Sequence, residues 1–142
     1  YSYHEDPDKC QDSRYIHRGA FRWELEEKIQ EPDSVEERLF SALGRLTATR
    51  KSAEVFDGDA TVATREMEDR SLICVVRETE SVLMKGFFNF GRDGKTVVVE
   101  EGERYRDMFN GRALKGETFW LEGHDFVWLQ REKTENPEKG VE

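Results

Sequence analysis

Ser71-Leu72-Ile73-Cys74-Val75-Val76-Arg77-Glu78, followed by Ser81-Val82-Leu83-Met84-Lys85-Gly86-Phe87-Phe88-Asn89-Phe90, decides the fold. Both runs are rich in β-branched and aromatic residues and read as strong strands. Working outward, Ala60 to Arg65, Thr96 to Val99, Tyr105 to Phe109, Glu117 to Leu121 and Phe126 to Arg131 read as further strands. The segments between them carry turn chemistry. Asp57-Gly58-Asp59 turns the chain, Asn89 to Gly94 holds two glycines, and Asn110-Gly111 is a hairpin signal. Strands recurring every ~8–12 residues with glycine turns predict an antiparallel β-sandwich of about eight strands.

Upstream of this block the pattern changes. Asp33 and Ser34 are good caps, and Ser34 with Glu37 fits a capping box. Val35, Leu39, Leu43 and Leu46, with Phe40 and Ala42 alongside, lie on one face at helical spacing. A helix is predicted over 34–51, with Glu36, Glu37, Arg38, Arg45 and Lys51 on its wet side. Trp23 to Gln30 forms two further helical turns, ended by Pro32. Tyr1 to Ile16 is polar, aromatic and without a sustained period, as in a long loop, and long ordered loops are often functional. Residues 132–142 read as a disordered polar tail. A lone amphipathic helix ahead of a sandwich is an odd free-standing design. It needs a surface to cover, and that surface is expected upstream of Tyr1.

Composition narrows the partners. Lys+Arg 22 against Asp+Glu 31 gives a formal charge of −9, which opposes a nucleic-acid or anionic-membrane partner. No apolar run approaches the ~20 residues of a membrane span, and no signal-peptide pattern occurs. Cys74 lies in an apolar run and is expected to be a buried, reduced thiol, which suits a cytoplasmic protein; a Cys10–Cys74 disulfide stays open.

Searched for chemistry, the sequence is sparing. His4, Cys10 and His17 lack the closely spaced pair of a zinc site, so no metal is expected, and no cofactor fingerprint occurs. His124, after Gly123, reads as a turn residue. Glu26-Glu27, Glu36-Glu37 and Glu100-Glu101 are adjacent pairs whose side chains diverge, and they read as solvated charges. Trp120 and Trp128 fall in strands and read as core; Trp23 is less settled. One polar cluster remains, Asp12-Ser13-Arg14-Tyr15-Ile16-His17-Arg18-Gly19. It is either a solvated loop held by ion pairs or a site where the fixed guanidinium fork grips a carboxylate or orients sugar hydroxyls.

Asp6-Pro7-Asp8-Lys9 followed by Asp12-Ser13-Arg14-Tyr15-Ile16-His17-Arg18 resembles the D-P-x-K-x-x-D-S-R-W-x-H-R-P segment of amylosucrases and their relatives in the α-amylase family, glycoside hydrolase family 13. Later pieces are similar in order and spacing: Glu31 to Val35, Leu43 to Lys51, Phe88-Asn89-Phe90, Asp107 to Gly111 and Phe126 to Leu129. The resemblance implies three parts. Residues 1–51 would be the C-terminal end of a (β/α)₈ barrel, comprising the loop after strand 8 and the last helix. Residues 52–131 would be the C-terminal β-sandwich, and 132–142 the tail. It also implies a retaining reaction on sucrose or an α-glucan, whose catalytic carboxylates lie on earlier barrel strands. This chain alone would then be catalytically inert and structural.

The resemblance further implies that Arg14 pairs with a barrel carboxylate at the floor of the glucosyl pocket, with His17 and Arg18 as lesser substrate-binding residues. Tyr15 and Gly19 stand where these relatives carry Trp and Pro, which leaves other α-glucosides open as donors. The expected partners are the chain's own barrel and a sugar substrate, with self-association through the helix stripe in the barrel's absence. The alternatives are a sandwich that binds carbohydrate independently, which needs exposed aromatics on a sheet face, and a purely structural or interaction domain.

Overall fold

The computed structural model describes residues 6–10, 12, 14, 23–100, 102–114 and 118–132. The chain divides into two compact units, Tyr1–Gly44 and Arg45–Glu142. The first holds a 3₁₀ helix, Trp23–Gln30, and the start of helix α1, Val35–Ser52. Ser34 caps α1 as expected, its Oγ accepting from the Glu37 N–H at 3.0 Å. The reciprocal half of the box is spent otherwise: Glu37 accepts from the Ser41 hydroxyl one turn on, at 2.7 Å. No residue of α1 is buried. Val35, Leu39, Phe40 and Leu43 are each about 60% exposed, so the predicted stripe forms but stays in water. No helix among the described residues is long and apolar enough to cross a membrane.

The second unit is the predicted antiparallel sandwich. Its strands are β1 (Thr61–Arg65), β2 (Leu72–Glu78), β3 (Leu83–Asn89), β4 (Lys95–Val98), β5 (Tyr105–Asp107), β6 (Thr118–Leu121) and β7 (Phe126–Arg131). Five of them form one sheet in the order β1-β2-β3-β7-β5, and β4 pairs with β6 in a second. All the named pairings are antiparallel. The two runs that open the reading, β2 and β3, are the sheet's central hairpin, registered Leu72 to Asn89 through Glu78 to Leu83.

Strand alternation sends Leu72, Cys74, Leu83, Phe87, Tyr105 and Leu129 to the inner face, where Val97 and Leu121 meet them from the second sheet. Phe87 and Phe119 stack edge to face across the gap, with ring centroids 5.5 Å apart. Cys74 is buried as expected, and both cysteines are free.

The opposite face of the large sheet is also apolar. Val55, in the 3₁₀ turn Glu54–Phe56, is fully buried, and Met84 is 2% exposed. Arg77 fastens that turn through Nε donating to the Val55 carbonyl at 2.8 Å. Phe56, Phe109 and Phe126 gather around Trp128, with Phe56 and Phe109 about 5 Å from its ring. Gly86 makes room for this cluster: a Cβ there would lie 3.1 Å from the Phe88 ring and 3.3 Å from Trp128.

One predicted strand is shorter than expected. Tyr105 to Phe109 ends at Asp107, because the Asp107 carboxylate draws the chain into a turn. It accepts from the Phe109 N–H at 2.7 Å and the Asn110 amide at 2.6 Å. Gly111 then takes a left-handed φ of 70°, which completes the expected hairpin turn, and Ala113 bridges back to Arg106.

Candidate functional site

Of the predicted substrate-binding residues, Arg14 is described; His17 and Arg18 lie outside the described residues, as does His4. Asp12 organises Arg14 from two residues upstream. Its carboxylate accepts from the Arg14 N–H at 3.0 Å, from Nε at 2.9 Å and from a terminal guanidinium nitrogen at 2.5 Å. The Arg14 side chain is 73% exposed and that of Asp12 26%. The guanidinium bond holds the Asp12 carboxyl below the usual carboxylate range and raises Arg14 further above neutrality. Just upstream, Asp6 caps its own turn, accepting from the Asp8 N–H at 3.0 Å and pairing with Lys9 at 2.8 Å. The D-S-R arginine is therefore held with its fork committed to a neighbouring carboxylate. Such a pre-set cation can orient hydroxyls or meet a second carboxylate; it is neither a nucleophile nor a general base.

A second cluster was not legible in the sequence. Lys85, in the middle of β3, is 2% exposed on the inner face. Its ammonium reaches Glu100 at 2.8 Å and lies 5.1 Å from the centre of the Tyr105 ring. Arg65 pairs with the same carboxylate. The two cations hold Glu100 below the ordinary glutamate range, Lys85 contributing most. Glu100 is thus exposed, as its sequence context suggests, and is also the counter-ion of a buried lysine. A buried ammonium needs such a partner, and Glu100, 44% exposed, supplies it from the edge of a cleft of about 500 Å³. A carboxylate stabilised by two cations is a weak proton acceptor, so this cluster reads as structural.

Trp120 also departs from expectation. It was read as core and is 59% exposed. Phe119, Trp120 and Leu121 are consecutive on β6, so alternation lets only the outer two face the core. Nothing in three adjacent apolar residues says which phase wins. The indole lies over Gly94, where a Cβ would come within 2.2 Å of the ring. Trp128, also expected in the core, is half-buried within the aromatic cluster on the opposite face of the large sheet. His124 sits in the expected turn, with a left-handed φ of 58°.

That turn is locked by Asn89, 2% exposed at the end of β3. Its amide donates to the carbonyls of Asp93, Leu121 and Glu122, and its side-chain oxygen accepts from the Gly91 N–H. Gly123 is pressed so close to the Arg92 carbonyl that a Cβ would lie 1.9 Å from the oxygen.

No protein-family model matches the chain. Solved structures do. AmyP in complex with maltose aligns with a TM-score of 0.57 at 11% identity, over 67% of this chain and 20% of that one. The trehalose-6-phosphate hydrolase TreA of Bacillus licheniformis aligns at 0.59 and 16%, over 76% and 20%. The alpha-glucosyl transfer enzyme XgtA aligns at 0.57 and 21%, over 74% and 19%. The chain spans about a fifth of the length of these structures. At such identities the likeness establishes the fold alone, a mainly antiparallel β-sandwich.

Proposed function

We propose that the chain is the C-terminal part of an amylosucrase-like enzyme of the α-amylase family, acting on sucrose or an α-glucan with retention. Residues 1–51 would complete its (β/α)₈ barrel, and 52–131 would be the C-terminal sandwich. The observation that carries the reading is a conjunction. A chain that aligns over three quarters of its length with XgtA and TreA carries a sandwich that follows a helix burying none of its residues. A barrel helix needs an apolar stripe facing strands supplied by the rest of the enzyme; the exposed Val35, Leu39, Phe40 and Leu43 fit that need.

In this reading the principal partner is the chain's own barrel, and the protein is cytoplasmic. In a chain cut off from the barrel, the same stripe drives self-association. The carboxylate nucleophile and the acid of a retaining mechanism would come from the barrel. This chain contributes position: Arg14, with His17 and Arg18, would close the floor of the glucosyl pocket, admitting a terminal glucosyl unit and stopping a longer chain. The sandwich would act as a buttress, inert by itself.

The test uses the full reading frame incubated with sucrose, following fructose, glucose and insoluble glucan. Fructose with glucan is the expected result, and Arg14→Ala should then lower kcat/KM on the order of 100-fold, as misplacement of a bound substrate does. Fructose with equal glucose would make it a hydrolase on the same scaffold. No fructose would overturn sucrose as donor, and maltooligosaccharides would be the next substrates. The alternative reading, an independent carbohydrate-binding sandwich, is favoured by one observation, the exposed indole of Trp120.

A further inference from the structure

We propose that Asn110 is a site of covalent self-modification: it deamidates through a cyclic imide with Gly111, and the folded turn holds the reaction back until the hairpin end opens. The proposal rests on the turn's own bonds and is independent of the function proposed above.

The chain has three asparagines, and the residue after each decides its chemistry. Ring closure needs the following backbone nitrogen to attack the side-chain carbonyl carbon. Asn89 precedes Phe90, whose side chain crowds that approach, and its own amide is buried and bonded to the turn backbone. Asn136 precedes Pro137, which has no N–H to ionise. Asn110 precedes Gly111, which has no Cβ to stand in the way. Both residues are exposed, so hydroxide and water reach them.

The folded turn engages every reacting group. The Gly111 N–H, which must lose its proton to become a nucleophile, donates to the Asp107 carbonyl at 2.9 Å. Deprotonation there would set the nitrogen's new charge against a carbonyl oxygen. The Asn110 amide nitrogen, which must leave, donates to the Asp107 carboxylate at 2.6 Å. The Asn110 side-chain oxygen accepts from the Arg112 N–H at 2.8 Å. Arg106 pins the Gly111 carbonyl at 2.7 Å, and Gly111 keeps its left-handed φ of 70°. The closed turn is therefore unreactive. Among the described residues these bonds lie within the hairpin, so it can open while the sandwich core stays shut.

In the opened turn, hydroxide takes the Gly111 proton and the nitrogen bonds to the Asn110 side-chain carbon. The bond from that carbon to its amide nitrogen breaks, and ammonia leaves with a proton from water. Water then opens the ring at either carbonyl. One opening gives aspartate; the other gives isoaspartate, with the main chain rerouted through the side chain. The net exchange is water in and ammonia out, with no oxidant. Either product loses the donor that Asp107 held and sets a second carboxylate against it. The modified turn cannot close as before, which loosens the bridge from Arg106 to Ala113.

The full 142-residue chain is held at mildly alkaline pH, with and without denaturing guanidinium, and conversion is read by peptide mass spectrometry. Asn110 should convert ~10–100-fold more slowly in the folded chain than in guanidinium, as befits a turn that opens locally. Asp107→Ala should raise the folded rate ~10-fold and leave the denatured rate unchanged. If Asp107→Ala loses its cooperative unfolding transition, Asp107→Asn, which keeps an acceptor oxygen without charge, should give the same rise in smaller measure. In Asn110→Asp, the amides of Gly111 and Leu114, which bond back to Asp107 and Tyr105, should exchange faster while that of Cys74 stays protected. Absence of conversion at Asn110 in guanidinium overturns the site. Equal rates in the folded and denatured chain, or a folded rate that neither Asp107 variant changes, overturn the gating.

Discussion

Helix α1 carries its apolar residues in one stripe and strand β3 carries them on both faces, and the two meet opposite fates. β3 buries six of its seven residues; α1, with eighteen, buries none. The difference is where each finds its partners. β3 lies between β2 and β7, and its inner face meets side chains of the second sheet, all within about fifty residues of chain. α1 shows a period that states the kind of surface it needs, a flat apolar one, without supplying it. Local pattern fixes what an element is; only the surrounding chain decides whether its apolar face is dry.

The comparison breaks most directly in the core. Phe87→Ala, at a site 3% exposed, should cost about 3–5 kcal/mol in urea unfolding of this chain. Leu43→Ala, at a site 61% exposed, should cost below about 0.5 kcal/mol at concentrations where the chain is monomeric. Equal losses would mean that α1 is packed in solution and the contrast is void.

Next in size is the polar lock. Asn89→Ala removes three amide donations and one acceptance at a site closed to water. It should cost about 2–4 kcal/mol, read from the urea midpoint at constant slope. A shift of a few tenths would show that water replaces the amide there.

A smaller loss than at Phe87 or Asn89 is expected at the buried lysine. Glu100→Gln should destabilise by about 1–2 kcal/mol, less than for a fully buried pair because Glu100 is partly solvated. Glu100 and Asp69 are both held below their ordinary values, Glu100 chiefly by its bond to Lys85 and Asp69 chiefly by its bond to Lys95. A depressed carboxylate stabilises the fold fully above its unfolded pKa and loses that contribution as pH falls through its folded one. Thermal stability should therefore be level above about pH 5 and decline below about pH 4. Glu100→Gln should flatten that acid limb. An unchanged limb would assign the acid sensitivity to Asp69 and the exposed pairs.

What could be read in advance follows from the same physics. The β2–β3 hairpin, the cap at Ser34, the stripe from Val35 to Leu43 and the turn at Gly111 were legible, because each is decided by near neighbours in the chain. Lys85 was not. A lysine in a strand is ordinarily an outward residue, and its counter-ion Glu100 is fifteen positions away on another segment. Trp120 was not, because Phe119 and Leu121 make either phase of the strand plausible. At the candidate site, the Asp12–Arg14 pair is local and follows from the motif itself. A carboxylate of the proposed barrel that would meet Arg14 is not written in these residues.

The seating of Gly123 against the Arg92 carbonyl carries a consequence for how this domain can change length. Between Asn89 and Gly94, and between Leu121 and Asp125, the two turns are clasped through one amide and one contact too close for a methyl group. An inserted residue in either turn would unclasp both. Among the described residues, the hairpin end around Asn110 and Gly111 is held by bonds within its own hairpin, from Arg106 to the Gly111 carbonyl and from Asn110 to Asp107, and by none to another turn. Additions and trimmed loops should accumulate there, and a designer grafting a binding loop onto this scaffold would begin at that end.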